Sequence, residues 1–276
     1  MSSKILIFGK GFIGERLSSA FKCDVTSKMI HGFADAQSEV DRFSPSVIIN
    51  CIGYTGEHNV DDCENNKDAT LSANVFVPIM LAEVALRNKI KLVHISSGCI
   101  YHYDYAQQPP ITEADSPDFF ELFYSRSKIY AERALDVSAQ RQNILLARVR
   151  IPLDDRPHPK NILNKLIRYK KIIDIPNSVT YIPDFIQALR HLIEIDAKGI
   201  YNVTNRGGLC YPKLMDVYKR YVPDFQYETI KFDSLNLVRS NLILSTKKLE
   251  DSGFNVRTID DILEECVKHY TGSEVV

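Results

Sequence analysis

The sequence predicts an α/β protein: a doubly wound parallel sheet, followed by a smaller α/β lobe. Three observations point there. Lys4-Ile5-Leu6-Ile7-Phe8 is a short apolar run that ends in a glycine-rich turn, and a helical pattern follows at once. Further apolar runs alternate with helical patterns as far as residue 150, the mark of strand–helix repeats and a parallel sheet. After Pro152 the texture changes to a charged stretch, 154–160, that carries Pro157 and Pro159.

The elements are justified in order. Gly9-Lys10-Gly11-Phe12-Ile13-Gly14 lies between the first strand and a helix that runs on through Glu15 to Phe21. A G-x-G-x-x-G in that setting predicts a Rossmann turn, with a dinucleotide pyrophosphate on the helix N-terminus. The second strand is predicted at 23–26. It is followed by Ser27 and Lys28 instead of an acid, and with Lys10 this favours NADPH over NAD. A helix at 35–43 leads to a buried strand at 46–53. A long helical pattern covers 63–88, its apolar stripe formed by Leu71, Val75, Ile79, Ala82 and Leu86, with Pro78 expected to kink or open it. The run 91–97 is the next strand and ends in the hydroxyls of Ser96 and Ser97. A proline-bearing loop then delivers a helix in which Phe123, Tyr130, Ala134 and Val137 are expected to pack, and 143–150 is a further strand. Beyond it come a cationic helix at 160–171, an apolar stretch at 172–176, a helix at 184–195, a strand at 199–204 and helices at 212–221 and 259–270. The division is therefore a dinucleotide-binding Rossmann domain, 1–150, and a mainly substrate-binding lobe, 151–276, with segments near 178–205 returning to the sheet.

Composition bounds the partners. Net charge is −1 with no long run of one sign, which argues against a nucleic-acid or membrane-surface footprint. No apolar run approaching ~20 residues is evident, and residues 1–4 enter a strand without a leader pattern. The six cysteines (23, 51, 63, 99, 210, 266) lack paired spacing, so reduced thiols, mostly small core residues, in a cytoplasmic protein are expected and no metal site is.

Tyr124 and Lys128, at i and i+4 on one helix face, form the chemical centre of the chain. A fixed ammonium favours the phenolate form of a neighbouring tyrosine, which suits it to proton transfer. With the nucleotide turn and Ser97 at a strand end, this constellation resembles the extended short-chain dehydrogenase/reductase family over nearly the whole chain. The resemblance implies that Ser97 orients a carbonyl, Tyr124 moves its proton and Lys128 holds the nicotinamide ribose. It also implies a cofactor cradle of Gly9, Lys10, Gly11, Phe12, Ile13, Gly14, Cys51, Gly53, Tyr124, Lys128 and Ile151. The family usually spaces its turn G-x-x-G-x-x-G; here Gly9, Gly11 and Gly14 are one residue tighter.

Short motifs narrow the resemblance. Asn59-Val60-Asp61-Asp62-Cys63-Glu64, Ser97-Gly98-Cys99-Ile100, Arg148-Val149-Arg150-Ile151-Pro152, Ile175-Pro176-Asn177-Ser178, Gly199-Ile200-Tyr201-Asn202 and Arg239-Ser240-Asn241 are similar to the plant-type 3,5-epimerase/4-reductases of UDP-4-keto-6-deoxy-glucose, which complete UDP-L-rhamnose synthesis. That branch implies Cys99 and Lys165 as the proton-exchanging pair, and Ser97, Cys99, Asn161 and Arg239 as substrate contacts. It also implies NADPH as cofactor with NAD as the alternative, a UDP-sugar supplied by a separate 4,6-dehydratase, and a homodimer of the kind common among relatives. Two rivals stand beside it: a 4-reductase alone, of the dTDP-4-dehydrorhamnose reductase type, and a non-enzymatic nucleotide-binding subunit of the same fold, of the kind that regulates methionine adenosyltransferase.

Overall fold

The computed structural model describes residues 4–139 and 143–272; the reading of residues 1–3 as the lead-in to the first strand lies outside them. In chain order the elements are β1 (Ile5–Phe8), α1 (Phe12–Phe21), β2 (Asp24–Thr26), α2 (Phe33–Phe43), β3 (Val47–Asn50), α3 (Lys67–Leu71), α4 (Val77–Arg87), β4 (Lys91–Ser97), α5 (Phe123–Ala139) and β5 (Ile144–Val149). They continue with β6 (Pro152–Leu153), α6 (Ile162–Leu166), β7 (Lys171–Asp174), β8 (Thr180–Tyr181), α7 (Ile182–Glu194), β9 (Gly199–Asn202), α8 (Tyr211–Tyr221), β10 (Glu228–Lys231), α9 (Lys247–Asp251) and α10 (Ile259–Thr271). Two compact units result. One takes the chain up to Ile100, Pro117–Arg148 and Ile193–Tyr201; the other takes Tyr101–Ser116, Val149–Leu192 and the chain from Asn202 onward.

The first unit is built on a six-stranded sheet in the order β2-β1-β3-β4-β5-β9. β1 pairs in parallel with both β2 and β3, and β3 with β4, where Asn50 faces His94. The strand order reverses at β1, so a crevice opens beyond the carboxyl ends of β1 and β3, where such sheets bind ligands. Both faces of the sheet are covered: every residue of β3 and β4 is buried, the polar Asn50, Lys91, His94, Ser96 and Ser97 included. Leu6, Ile48, Leu92 and Leu146 pack under Val40, Leu81, Val84 and Leu135 of the helices.

Two helix faces differ from expectation. Along Lys67–Arg87 the buried edge runs through Thr70, Asn74, Val77, Leu81 and Val84, while Ile79 and Leu86 are exposed. Two of its core positions are polar; of the predicted stripe, Val75 and Ala82 are buried and Leu71 half-buried, while Ile79 and Leu86 fall on the outside. The helix does open, as a π turn at Ser72–Phe76, and Pro78 then sits in the first turn of α4, where its missing N–H is harmless. By length and mean hydropathy (1.7) Lys67–Arg87 could cross a membrane, contrary to the reading that no apolar run is long enough; half of that stretch is buried inside the protein. In α5, Tyr130, Ala134 and Val137 are exposed, and Tyr124, Ser127, Lys128, Ala131, Glu132 and Leu135 face inward. The inward edge is again polar.

The second unit holds two parallel strand pairs, β7 with β10 and β6 with β8. Leu163, Leu166, Ile172, Leu214, Met215, Ile262 and Leu263 form its core. The expected cationic helix shrinks to α6. Asn161 caps its start, accepting from the Leu163 N–H at 3.1 Å, and beyond Ile167 the exposed Arg168, Tyr169 and Lys170 offer no apolar face to bury. Two-residue strands such as β6 and β8 carry no periodicity to read.

Candidate active site

The glycine turn is closed on its protein side and open on the other. Gly9 has φ +101°, and a Cβ there would lie 2.9 Å from the Ile52 nitrogen. A Cβ on Gly14 would stand 2.0 Å from the Gly9 carbonyl oxygen, so α1 can pack this closely on β1 only with glycine. At Gly11 an added Cβ would meet nothing within 4 Å. Gly11 is also the N-cap of α1 and has no side-chain cap, which leaves the positive end of the helix facing that space. These features fit a dinucleotide pyrophosphate despite the tighter glycine spacing. Phe12 is buried, Ile13 half-buried and Lys10 exposed. Lys28, read as a partner for the ribose phosphate, already donates to Ser38 Oγ at 2.7 Å and lies 3.7 Å from Asp35.

The chemistry-bearing residues of the first unit converge at the end of β4. Ser97 is 3% exposed, and its Oγ accepts from the Cys99 N–H at 3.1 Å. Ser125 Oγ donates to the Cys99 carbonyl at 2.6 Å, tying the Cys99 turn to the first turn of α5. Cys99 itself is half-buried, and Tyr124 is buried. Lys128 is 5% exposed, and a Cβ on Gly53 would sit 3.4 Å from its Nζ. Burial lowers the Lys128 pKa to about 8; the Cys99 thiol and the Glu132 carboxylate pull it back upward. Ser97, Cys99, Tyr124, Lys128 and Gly53 therefore share one corner of the unit. Cys51 is half-buried in the loop after β3, and burial pushes its thiol far up. Of the six cysteines only Cys63 and Cys266 are fully buried, fewer than the composition suggested.

Beneath this corner lies a polar layer that the sequence reading did not single out. Asn74, in the π turn, accepts from the Tyr54 N–H at 2.7 Å and donates to the Tyr54 carbonyl and to Ser127 Oγ, both at 3.0 Å. Asn50 accepts from the Ile52 N–H at 3.0 Å, which orients its amide so that Nδ2 donates to His94 Nδ1 at 3.1 Å. His94 is thereby held with its proton on Nε2, and desolvation, helped by the Lys128 charge, drops its pKa well below the usual value. Glu132 and Arg148 form a buried ion pair. The available signals were faint: Tyr124, Lys128 and Glu132 recur at four-residue spacing, and Asn74 and Arg148 interrupt apolar runs.

The remaining candidates belong to the second unit. Lys165 is half-buried, its pKa lowered by burial and by the charge of Lys160. Asn161 accepts from the Asp154 and Leu163 N–H groups and donates to the Asp154 and Arg156 carbonyls. All four of its side-chain hydrogen-bonding positions are used between Asp154 and Leu163, so the amide anchors this loop to the start of α6. Ile151 has φ +35°, unusual for a β-branched residue and more so before proline. The Arg150 N–H donates to Thr180 Oγ1 at 2.9 Å, and the Thr180 N–H donates to the Arg150 carbonyl at 2.7 Å, which pins that turn. Arg150 also donates to Asn177 Oδ1 at 2.8 Å and to the Ser240 carbonyl. Asn177 in turn donates to Asn241 at 3.0 Å. Three of the short motifs thus meet, and together they anchor the segment that carries Arg239, whose Nη1 donates to the Val238 carbonyl at 2.7 Å.

The chain is similar to several known proteins. A bifunctional dTDP-4-dehydrorhamnose 3,5-epimerase/dTDP-4-dehydrorhamnose reductase of Arabidopsis thaliana is 32% identical, covering 96% of this chain and 93% of its own. A trifunctional UDP-glucose 4,6-dehydratase/UDP-4-keto-6-deoxy-D-glucose 3,5-epimerase/UDP-4-keto-L-rhamnose-reductase of the same plant is 30% identical over 96% of this chain, which spans only 42% of that relative's length. Among solved structures, the L780 UDP-rhamnose synthase of Acanthamoeba polyphaga mimivirus superposes with a TM-score of 0.88 at 25% identity, covering 97% of this chain and 99% of that one. The description of the RmlD substrate binding domain matches residues 3–207, and on that match the chain belongs to the RmlD substrate binding domain family.

Proposed function

We propose that the chain is an NADPH-dependent 4-keto reductase of a nucleotide-linked 6-deoxy sugar, and that it also epimerises the sugar at C3 and C5, taking UDP-4-keto-6-deoxy-D-glucose to UDP-L-rhamnose. The observation that carries it is the joining of Ser97, Cys99, Tyr124 and Lys128 at the end of β4, beside Gly53 and in the same unit as the open glycine turn. The names of the Arabidopsis and mimivirus relatives support the sugar, and both UDP and dTDP occur among them.

Gly9, Lys10, Gly11, Phe12, Ile13, Gly14, Cys51, Gly53, Tyr124, Lys128 and Ile151 are the residues assigned to NADPH, which when bound supplies a hydride to C4. Ser97 and Tyr124 hydrogen-bond the C4 oxygen and stabilise the negative charge that develops there. The 4-keto group acidifies the protons on C3 and C5, and the charge on its oxygen develops as one of them is removed to give the enolate. Cys99 and Lys165 are assigned to remove and return those protons; a half-buried lysine with a lowered pKa suits proton exchange near neutral pH. Tyr124 then delivers a proton to the C4 oxygen, and Lys128 holds the ribose and favours the phenolate that remains. Arg239 is assigned to the diphosphate through its paired donors.

The test is NMR of the product sugar made in deuterated water. Wild type is expected to place deuterium at C3 and C5 and to consume NADPH. Cys99→Ser is expected to lower deuterium incorporation by about 10²-fold or more while still reducing an already epimerised ketone. Normal incorporation by that variant would reduce the assignment to a 4-reductase alone. An inert wild type that binds NADPH would favour a nucleotide-binding subunit.

A further inference from the structure

Tyr124, Lys128 and Glu132 lie on one edge of α5, a turn apart from one another. Glu132 is 2% exposed and its partner Arg148 1% exposed. Arg148 Nε donates to both carboxylate oxygens, at 3.2 and 3.0 Å, and Nη2 donates to Oε1 at 2.6 Å. Ser96 Oγ completes the set with a 2.9 Å bond to Oε2. Three elements therefore meet on a single carboxylate: α5 through Glu132, β5 through Arg148 and β4 through Ser96. Ser96 immediately precedes Ser97 on an extended strand, so their side chains leave opposite faces of the sheet. The helical turn that holds Lys128 is thus fastened to the residue next to Ser97.

A buried ion pair is a weak source of stability, since both charges lose their water, and apolar side chains of similar size often serve the core as well. Its position suggests another use. The groups that act on Lys128 from the surrounding segments are the thiols of Cys51 after β3, Cys63 in the turn at Val60–Glu64 and Cys99 after β4. His94 on β4 also feels it. On its own helix the phenol of Tyr124 lies one turn before and Glu132 one turn after, with Arg148 beyond Glu132. In that set Glu132 supplies the one carboxylate.

We propose that Glu132 is a positioning residue: clamped by Arg148 and Ser96, its carboxylate keeps the buried Lys128 ammonium charged and sets its turn of α5 against the end of β4. This rests on the assignment of Lys128 to the reduction, so the experiment reads the two separately. Lysine Cε is labelled with carbon-13 in the full-length protein, the Lys128 resonance is assigned by its loss in Lys128→Met, and its titration is followed without substrate. Glu132→Gln removes the charge and keeps the shape. Glu132→Leu combined with Arg148→Met removes both charges, so that variant decides if the single one does not fold. In the paired variant the Lys128 midpoint is expected to fall by about one pH unit, and kcat for NADPH-dependent reduction by about tenfold with its alkaline limb shifted the same way. KM for the nucleotide sugar is expected to stay within about twofold, and Glu132→Asp to restore part of kcat. A folded paired variant with either a wild-type Lys128 midpoint or a wild-type kcat overturns the proposal. A wild type inactive on the keto sugar overturns the functional assignment instead, and the titration still decides the role of Glu132.

Discussion

Lys128 is held against its own hydration. Its pKa, lowered from 10.5 to about 8, means that the folded protein carries the ammonium at a penalty of roughly 3 kcal/mol at neutral pH. The sign follows from proton counting. Between pH 8 and 10.5 the unfolded chain binds the proton that the folded one has released, so stability rises with pH across that window, and the penalty is complete below it. Lys128→Met is therefore expected to raise the stability of the cofactor-free protein by about 1–3 kcal/mol at pH 7 while abolishing reduction, with the gain shrinking towards pH 10. Denaturant unfolding at the two pH values checks this; a variant less stable than wild type at pH 7 would contradict the burial penalty. At this scale the sequence spoke clearly where residue type and spacing carried the chemistry. The four-residue spacing of Tyr124 and Lys128 predicted a shared helix edge, and both are buried on α5, whereas Cys99 was singled out through the resemblance and not by its interval. Glu132, Asn74 and His94 were not, because a polar residue inside an apolar stretch looks the same whether it is buried or turned to solvent.

Among the elements, the glycine turn separates two jobs that one motif combines. Gly14→Ala forces a methyl group against the Gly9 carbonyl at the α1–β1 contact and is expected to destabilise the fold by about 1–3 kcal/mol. Gly11→Ala meets open space; its stability is expected to stay within about 1 kcal/mol of wild type, while the affinity for NADPH falls about tenfold because the methyl group occupies the approach to the helix N-terminus. Thermal melts beside NADPH fluorescence titrations decide it, and equal effects of the two variants on both readouts would count against the separation. β4 was legible to the residue because Leu92, Val93 and Ile95 mark a buried strand that ends in hydroxyls, although Lys91 and His94 interrupt it. The face of α5 was not. Its inward edge carries Tyr124, Ser127, Lys128 and Glu132, so the apolar pattern pointed to Tyr130 and Val137 on the outside.

At the scale of the whole molecule, stability is tied to acid through His94. The folded state keeps this imidazole neutral far below 6.5, whereas the unfolded chain protonates it there, so stability is expected to fall by up to about 1.4 kcal/mol per pH unit below that point. His94→Gln is expected to flatten this slope between pH 6.5 and 5 in denaturant titrations; an unchanged slope would assign it to other groups. The division of the chain was only partly legible for a related reason. The sheet announces itself in apolar runs, but the second unit is stitched by side chains: Arg150, Asn177, Ser178 and Ser240 hold segments far apart in sequence, and such bonds leave no periodic trace. The Asn74 amide has a consequence of the same kind. By accepting from and donating to the same residue, Tyr54, it imitates a neighbouring peptide, so the stretch after β3 has an adjacent strand one residue long. Tyr54 is therefore tethered at both of its backbone polar groups before any dinucleotide arrives, which leaves less chain entropy to surrender at that point on association.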